Sequence, residues 1–252
     1  MVIVVTGGTR GIGHGLVREF LRLGHQVAFC GSRAESVAEA AGGLDGERIC
    51  AVVADVADRE QMRGLWDAAV ARFGRVDVWI NNAGISHARR PVWELPAADA
   101  ARVLQVNLLG AVNGSAVAIE GMAGQEGGGH VWNMEGLGSD GRVVPGLAMY
   151  GASKRALTYV TRALAREVPA GVSVGLLSPG MVFTDLLVHD YGEEELARAG
   201  KVFAILADRV ETVTPWLARQ ALARARNGAQ VRWLTRRKAL VRFAAAPFRK
   251  RR

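Results

Sequence analysis

Short apolar runs alternate with amphipathic segments along almost the whole chain. The apolar runs lack the polar alternation of a half-exposed strand, which is typical of strands that are buried on both faces of a sheet. The segments between them have apolar residues at helical spacing, and several end at glycine. The pattern predicts strands at residues 2–6, 26–30, 48–54, 77–80, 130–134, 172–177 and 229–234, and helices at 12–23, 34–41, 59–73, 99–122, 150–167 and 215–224.

Strands separated by helices predict a parallel sheet that is covered on both faces. Because crossover connections are right-handed, the expected architecture is a doubly wound α/β sheet of seven strands. No internal repeat or linker divides the chain. We therefore expect a single domain over residues 1–234, followed by a C-terminal tail at 235–252.

The composition is typical of a folded globular domain, and the distribution of charge along the chain is its one unusual feature. Of the 252 residues, 50% are hydrophobic and 22% are charged, which excludes a largely disordered chain. The net charge is +8, but the last 22 residues hold nine of the 32 Lys and Arg residues and no Asp or Glu. The rest of the chain has 23 basic against 24 acidic residues, so the excess charge belongs to the C-terminal end.

Cysteine use and the N-terminus bear on the cellular compartment. Cys30 and Cys50 lie in predicted strands, so we expect buried, reduced thiols, as in a reducing compartment. The first strand follows Met1 directly and leaves no room for a cleavable signal. No uninterrupted apolar stretch reaches the ~18 residues of a membrane span. A cytoplasmic location is expected.

A glycine-rich turn follows the first strand. Residues 6–13 are Thr-Gly-Gly-Thr-Arg-Gly-Ile-Gly, and the first predicted helix opens at their end. Glycines allow the backbone to approach a pyrophosphate closely, and the free N–H groups of a helix N-terminus attract its charge. In this strand–turn–helix context, the motif predicts a dinucleotide site.

The Thr-Gly-x-x-x-Gly-x-Gly spacing resembles the short-chain dehydrogenase/reductase family. The resemblance continues with Asn-Asn-Ala-Gly at 81–84, Tyr-x-x-x-Lys at 150–154 and Pro-Gly-Met-Val-Phe-Thr at 179–184, each near a strand end. It implies a Rossmann-type fold, a nicotinamide cofactor and a homodimer or homotetramer. It also implies a substrate lid at about 185–210, whose apolar residues, with Trp93 and Met149, would suit a large ligand.

The residues after the second strand predict NADP(H) as the cofactor. An acidic residue there usually holds the ribose 2′-hydroxyl of NAD, but this chain has Ser32 and Arg33 instead. Arg10 adds a second guanidinium, which matches a 2′-phosphate in charge and geometry. With Asp55 and Val56 resembling the family's adenine contact, the expected cofactor-binding residues are Gly7, Thr9, Arg10, Gly11, Ile12, Gly13, Ser32, Arg33, Asp55, Val56, Asn82, Ala83, Gly84, Tyr150, Lys154, Pro179, Gly180 and Thr184.

The candidate catalytic residues are Tyr150, Lys154, Asn107 and Ser139. Tyr150 and Lys154 are four residues apart and share one helix face, so the ammonium lowers the pKa of the phenol. The resemblance implies that Tyr150 protonates a carbonyl oxygen, that Lys154 also binds the nicotinamide ribose, and that Asn107 holds a water.

The family's serine is missing from its usual place. Thirteen residues before Tyr150 stands Leu137, and alignment on Asn133 points to Gly136. The nearest hydroxyl is that of Ser139, which two neighbouring glycines leave free to turn inward. Two interpretations stand: Ser139 polarises the carbonyl, or it sits in a turn and Tyr150 acts alone.

The same loop bears on the substrate. Trp-Asn-Met-Glu-Gly-Leu-Gly-Ser at 132–139 resembles the hallmark of chlorophyll b reductases, and Val-Arg-Trp-Leu-Thr at 231–235 before a basic tail is similar as well. This resemblance implies reduction of the chlorophyll b 7-formyl group to hydroxymethyl with NADPH. A generic alcohol dehydrogenase or ketoreductase is the first alternative, and a catalytically weak nucleotide-binding sensor or scaffold is the second.

The basic tail has two interpretations, a peripheral contact with an anionic membrane or a plainly solvated end. No stacking platform accompanies the charge, so nucleic-acid binding is not expected. The five histidines show no ligand spacing, and no metal site is expected. His189 and Asp190, although adjacent, lack a serine partner for a catalytic triad.

Overall fold

Seven parallel strands form the sheet of the computed structural model, which describes residues 1–188 and 193–246. Their order is β3-β2-β1-β4-β5-β6-β9, and every neighbouring pair is parallel. The strands are β1 (Val2–Val5), β2 (Gln26–Gly31), β3 (Ile49–Val53), β4 (Val78–Asn81), β5 (Gly129–Met134), β6 (Val172–Ser178) and β9 (Gln230–Arg232). The predicted seven-stranded doubly wound sheet is confirmed.

Helices cover both faces of this sheet, as expected for strands without polar alternation. Leu16 and Phe20 of the first helix belong to the core cluster on one face, and Leu65 and Val117 belong to the cluster on the other. The helices are α1 (Gly11–Arg22), α2 (Ala34–Ala41), α3 (Arg59–Phe73), α4 (Ala97–Leu104), α5 (Gly110–Ala123), α6 (Ala148–Glu167), α7 (Asp185–Val188), α8 (Glu193–Leu206), α9 (Val210–Ala223) and α10 (Arg236–Ala245).

Three features differ from the predicted elements. The helix expected at 99–122 is interrupted by a π-helical turn at Gln105–Leu109. β7 (Met181–Val182), just before the lid, and β8 (Ala207–Asp208), within it, form a separate two-stranded sheet. As far as residue 246, the segment expected to be a tail forms α10, which packs against α8.

The helical stretch Ala97–Ala123 is long and apolar enough to cross a membrane by length and composition. No apolar stretch of that length was expected, because no uninterrupted run of apolar residues in the sequence reaches about 18 residues. It packs against α3, α6, β4 and β5, and 56% of its apolar window is buried within the protein. Those contacts are those of a core helix.

The strand order reverses between β1 and β4, which places a crevice beyond their carboxyl ends. The cysteines lie on neighbouring strands: Cys30 is buried on β2 and borders this crevice, Cys50 is half-buried on β3 and does not, and both are free thiols. Burial raises the pKa of the Cys30 thiol to about 12, so it is unreactive at neutral pH.

Candidate active site

The glycine-rich turn forms one end of the crevice. Gly7 and Gly11 have positive φ angles of 63° and 54°. A Cβ atom on Gly13 would lie 2.1 Å from the carbonyl oxygen of Gly7 and 2.5 Å from Asn82 Nδ2. The turn therefore leaves no room for a side chain at residue 13. Arg10, the N-cap residue, makes no side-chain cap, so the first amides of α1 are available to an anion.

A set of hydrogen bonds ties this turn to the loop after β4. Thr6 Oγ1 accepts hydrogen bonds from the backbone N–H groups of Asn82 (3.0 Å) and Ala83 (3.1 Å). In return, Asn82 Nδ2 donates to the carbonyl oxygens of Thr6 (2.9 Å) and Gly7 (3.1 Å). These bonds cross the point where the strand order reverses and fix the floor of the crevice.

A cavity of about 670 Å³ occupies the crevice, a size typical of small-molecule sites. Its far end reaches the first turn of α6. Every predicted cofactor-binding residue lines it except Arg33: Gly7, Thr9, Arg10, Gly11, Ile12, Gly13, Ser32, Asp55, Val56, Asn82, Ala83, Gly84, Tyr150, Lys154, Pro179, Gly180 and Thr184.

Charged side chains frame the cofactor end. Arg33 is exposed at the N-terminus of α2 and does not line the cavity, whereas Arg10 lines it and forms a 3.4 Å ion pair with Asp185. The Asp55 carboxylate accepts hydrogen bonds from the Ala57 N–H (3.0 Å) and from Arg102 (2.8 Å). Arg10 is therefore the better placed of the two predicted guanidinium groups.

Tyr150 and Lys154 lie on the first turns of α6 and both line the cavity. The Tyr150 N–H donates to Nε2 of the buried His87 (3.4 Å), which fixes the start of the helix. Lys154 Nζ donates to the carbonyl oxygen of Met134 (3.2 Å) and lies 6.0 Å from the centroid of the Tyr150 ring.

Burial shifts the pKa values of this pair in opposite directions. It raises the pKa of Tyr150 to about 12, which is opposite to the lowering expected from the Lys154 ammonium, so the phenol keeps its proton at neutral pH. It lowers the pKa of Lys154 to about 8, and the nearby Glu135 carboxylate opposes that change. Near pH 7 the site therefore presents a protonated phenol beside an ammonium group.

The π-helical turn carries Asn107, whose side chain is buried and joins two segments. Its Oδ1 accepts from the Ile85 N–H (2.8 Å), and its Nδ2 donates to Ile85 O (2.9 Å) and Ser153 Oγ (3.1 Å). Such turns occur frequently at functional sites. Asn107 does not line the cavity. Its water-holding role stays a prediction, while the contacts show that it positions α6.

Ser139 is buried, borders the cavity and closes a loop after β5. Its Oγ accepts from the Gly136 N–H (3.1 Å) and donates to the Lys154 carbonyl oxygen (3.3 Å). At Gly136, where the alignment on Asn133 expected a serine, a Cβ atom would lie 2.5 Å from Tyr150 Oη. The glycine therefore leaves space that the tyrosine hydroxyl uses. Catalysis by Ser139 stays a prediction.

Glu135 is a site residue that sequence reasoning missed. Its side chain is 2% exposed, accepts a hydrogen bond from Gln230 Nε2 (3.0 Å) and lies 3.5 Å from Arg232 Nε. Both partners belong to β9, at the opposite end of the chain. An acidic residue directly after a buried strand was the available signal, because a buried carboxylate requires partners.

Apolar residues form the substrate end of the cavity. Phe183 and Phe203 pack edge to face against each other but do not line it, and neither Trp93, which is 82% exposed, nor Met149 lines it. Within the lid predicted at about 185–210, His189, Asp190 and Tyr191 lie outside the described residues. The larger apolar side chains of this wall are Leu147, Met181, Leu186, Leu187, Leu206, Leu234 and Phe243.

The comparison with protein families gives a match to the short chain dehydrogenase model over residues 1–195. A protein of Arabidopsis thaliana named chlorophyll(ide) b reductase NOL, chloroplastic, is 35% identical over 96% of this chain and 72% of its own length. A protein of the same name from Oryza sativa subsp. japonica is 36% identical over 85% of this chain. The chain spans 64% of that relative's length.

Solved structures agree with this family. A blue fluorescent protein from a metagenomic library, in complex with NADPH, has 30% identity and a TM-score of 0.76 over 92% of this chain and 95% of its own. A 3-ketoacyl-(acyl-carrier-protein) reductase from Brucella melitensis, complexed with NADH, has 25% identity and a TM-score of 0.80 over 92% and 96%. The chain belongs to the short-chain dehydrogenase/reductase family and is an oxidoreductase that uses a nicotinamide dinucleotide.

Proposed function

We propose that this protein is an NADPH-dependent reductase of a carbonyl group on a bulky apolar substrate, and that the 7-formyl group of chlorophyll b is that carbonyl. The observation that carries the proposal is a single cavity that joins the glycine-rich turn, the Tyr150–Lys154 pair and an apolar wall. The loop at 132–139 and the similarity to proteins named chlorophyll(ide) b reductase support the choice of substrate.

The residues of the crevice fit a dinucleotide. Gly7 and Gly13 let the turn pack closely against the loop after β4, and the α1 amides at its end would bind the pyrophosphate. Ser32 and Arg10, with no acidic residue after β2, favour the 2′-phosphate of NADPH. When bound, the reduced nicotinamide supplies a hydride to the carbonyl carbon.

Tyr150 supplies the proton in this mechanism. Its phenol is protonated at neutral pH, and its Oη lies in the space beside Gly136. The proton passes to the carbonyl oxygen, which becomes the hydroxyl group of the alcohol product. The Lys154 ammonium, oriented by Met134 O, stabilises the phenolate that remains.

The carbonyl oxygen has Tyr150 as its donor. The single hydroxyl proton of Ser139 is directed to Lys154 O, which favours the interpretation in which Tyr150 acts without a serine partner. Ser139 then has the role of holding the loop at Gly136 against α6.

The generic ketoreductase is the second candidate function. Similarity to the 3-ketoacyl-(acyl-carrier-protein) reductase structure favours it, because the same fold and the same Tyr-x-x-x-Lys pair serve smaller carbonyl compounds equally well. The sensor or scaffold alternative predicts binding of NADPH without turnover of any carbonyl compound.

An assay with purified protein, NADPH and chlorophyll b tests the proposal. Loss of the chlorophyll b absorption band and formation of the hydroxymethyl product are expected, and Tyr150→Phe should lower turnover by about 10²- to 10⁴-fold while leaving NADPH binding intact. Full turnover by Tyr150→Phe would refute the mechanism. Turnover of small ketones but not chlorophyll b would select the ketoreductase, and NADPH binding without any turnover would select the sensor.

We also propose that the outer face of α10 contacts anionic membranes, where a lipophilic substrate would be found. Leu240 and Val241 are 70% and 60% exposed on a helix that contains four basic residues. Co-sedimentation with vesicles containing an anionic lipid is expected, and its loss in Leu240→Ser with Val241→Ser. Recovery of the unaltered protein entirely in the supernatant would exclude this contact.

A homodimer is proposed through the exposed face of α4, α5 and α6. A shallow apolar groove there is lined by Leu104, Leu108, Leu109, Val112 and Val160, with Gln105, and Leu109 is 46% exposed. Light scattering should give twice the chain mass, and Leu109→Glu should give the monomer.

A further inference from the structure

One face of α10 forms part of the cavity wall. Arg236, Ala239 and Phe243 line the cavity, and their spacing of three and four residues places them on one side of the helix. Leu240, at the edge of this face, and Val241, beyond it, do not line the cavity and are exposed. α10 therefore has an inner face that would contact any ligand bound at the substrate end of the cavity.

Asp208 of β8 holds this helix in position. Its Oδ1 accepts a hydrogen bond from Arg242 Nη2 (3.0 Å), and its Oδ2 accepts one from Trp233 Nε1 (2.6 Å) and lies 2.9 Å from Arg242 Nη1. Arg242 also donates to Leu206 O (3.1 Å), at the end of α8. The two side chains are only 15% and 16% exposed, so their ion pair is largely shielded from water.

Neighbouring groups reinforce this attachment. Burial works against ionisation of Asp208, yet the hydrogen bonds from Arg242 and Trp233 hold its pKa below the ordinary value. Thr235 caps α10 by accepting from the Lys238 N–H (3.1 Å), and the Lys238 ammonium lies 3.1 Å from the centroid of the Trp233 ring. The start of α10 is thus fixed at Trp233 and its last turn at Asp208.

The cavity contains apolar surface that a ligand would cover. Phe243 is 45% exposed and Leu186 is 39% exposed, although both line the cavity. Apolar side chains left accessible in a concave site mark a place where an apolar ligand gains burial energy. The preceding residue, Arg242, is bound to Asp208, so this ion pair helps to position the helical turn that carries Phe243.

We propose that the Asp208–Arg242 ion pair determines substrate specificity by fixing α10 as the outer wall of the substrate site, so that Phe243 contacts the apolar body of a large carbonyl substrate. The inference rests on the proposed carbonyl reductase activity, but it does not require the substrate to be chlorophyll b. Small carbonyl compounds, which reach Tyr150 without contacting α10, do not depend on this wall.

The test compares Asp208→Asn, Arg242→Gln and Phe243→Ala with the unaltered protein. Each variant should raise the KM for chlorophyll b by about tenfold, the order expected for loss of one buried aromatic contact. The kcat/KM for benzaldehyde and the Kd for NADPH should change less than about twofold. Glu120→Gln is the matched control, because it removes the 2.7 Å ion pair between Arg63 and Glu120, far from the cavity.

Hydrogen exchange tests the role of the Asp208–Arg242 ion pair independently of which substrate the protein reduces. Asp208→Asn should accelerate amide exchange in α10 while α9 keeps its protection, whether or not chlorophyll b is reduced. If the unaltered protein leaves chlorophyll b unchanged but reduces other aldehydes, the substrate assignment fails, and the KM comparison uses the largest apolar aldehyde that is reduced. Unchanged exchange in α10, or equal losses for the large and small substrates, would overturn the proposal.

Discussion

The two ends of the cavity are built from different kinds of contact. At the cofactor end, backbone groups approach one another closely, as between Gly7 and Gly13, and Thr6 and Asn82 join two strand ends that are adjacent in the sheet. At the substrate end, the walls come from segments far apart in sequence. Ion pairs connect them, Glu135 with Arg232 and Asp208 with Arg242.

This difference indicates which contacts are needed for the fold itself and which contacts can vary with the substrate. A close backbone approach admits no side chain, so the cofactor end is preserved wherever the fold binds a dinucleotide. Side-chain ion pairs can be exchanged without altering the sheet, so the substrate end can change independently. The comparison predicts severe effects of small substitutions at the first end and selective effects at the second.

The largest effect is expected for Gly13→Ala. The added methyl would meet Gly7 O at 2.1 Å and Asn82 Nδ2 at 2.5 Å, so the turn itself must move. We expect a loss of about 1–3 kcal/mol in the free energy of unfolding and a weakening of NADPH binding by about 100-fold or more. Calorimetry and fluorescence titration measure the two quantities.

Gly64→Ala is the control for this substitution. Gly64 is an exposed residue of α3 with nothing within 4 Å of an added Cβ atom, so alanine there should raise stability slightly and leave NADPH binding unchanged. Normal NADPH affinity in Gly13→Ala would contradict the view that backbone approach defines the cofactor end.

The next effect is expected for Gly136→Ala, at the boundary between the two ends. Its methyl group would lie 2.5 Å from Tyr150 Oη and displace the proton donor. We expect kcat to fall by about 10- to 100-fold with little change in the Kd for NADPH, because a displaced donor loses its alignment. Gly151→Ala, next to Tyr150 but with open space at its Cβ position, should retain activity. An active Gly136→Ala variant would show that the glycine does not set the tyrosine position.

The cofactor end was largely predictable from sequence because its determinants are local. Buried strands, the glycine-rich turn and the Tyr-x-x-x-Lys spacing each occupy a few consecutive residues. The π-helical turn was not predicted, because Asn107 adopts it through bonds to Ile85 and Ser153, which other segments supply. Arg33 follows β2 as expected, but it is exposed at the start of α2 and does not line the cavity.

The substrate end was predicted only in outline. The lid was expected, but its sheet β7–β8 and the docking of α10 depend on Asp208 meeting Trp233 and Arg242 across 25 and 34 residues. A basic segment with few buried residues has the composition of a solvated tail, and only these partners distinguish it. The place of Glu135 in the site was also not predicted, because its partners on β9 are about 95 residues away in the sequence.

A smaller effect, visible in the pH dependence, is expected for Glu135→Gln. The Glu135 carboxylate favours the charged form of Lys154, whose pKa burial has lowered to about 8. Activity that needs the ammonium is present below this pKa and is lost as the pH rises through it. Without the carboxylate the pKa of Lys154 falls further, so the decline in kcat should move about one pH unit toward acid.

Two controls distinguish this electrostatic role from a structural one. Glutamine at position 135 is similar in shape to glutamate, so the melting temperature should change little, and kcat should be near normal at acidic pH. Glu39→Gln, which removes an exposed carboxylate of α2, should leave the pH profile in place. A uniform loss of activity at every pH in Glu135→Gln would assign Glu135 to packing alone.

The smallest effect concerns the choice between NADPH and NADH, and it tests whether one guanidinium at the cofactor end can be exchanged like the ion pairs of the substrate end. Arg10 lines the cavity, but it is 72% exposed and its pairing with Asp185 competes with a phosphate. We therefore expect Arg10→Gln to weaken NADPH binding by only about fivefold and NADH binding by less than about twofold. Arg33→Gln should change neither, because Arg33 lies outside the cavity.

Since both variants lose one positive charge, a general electrostatic effect would weaken NADPH binding equally in the two. A larger loss in Arg33→Gln than in Arg10→Gln would mean that Arg33 turns inward when the cofactor binds, and the NADPH preference would then depend on side-chain rearrangement rather than on the arrangement described.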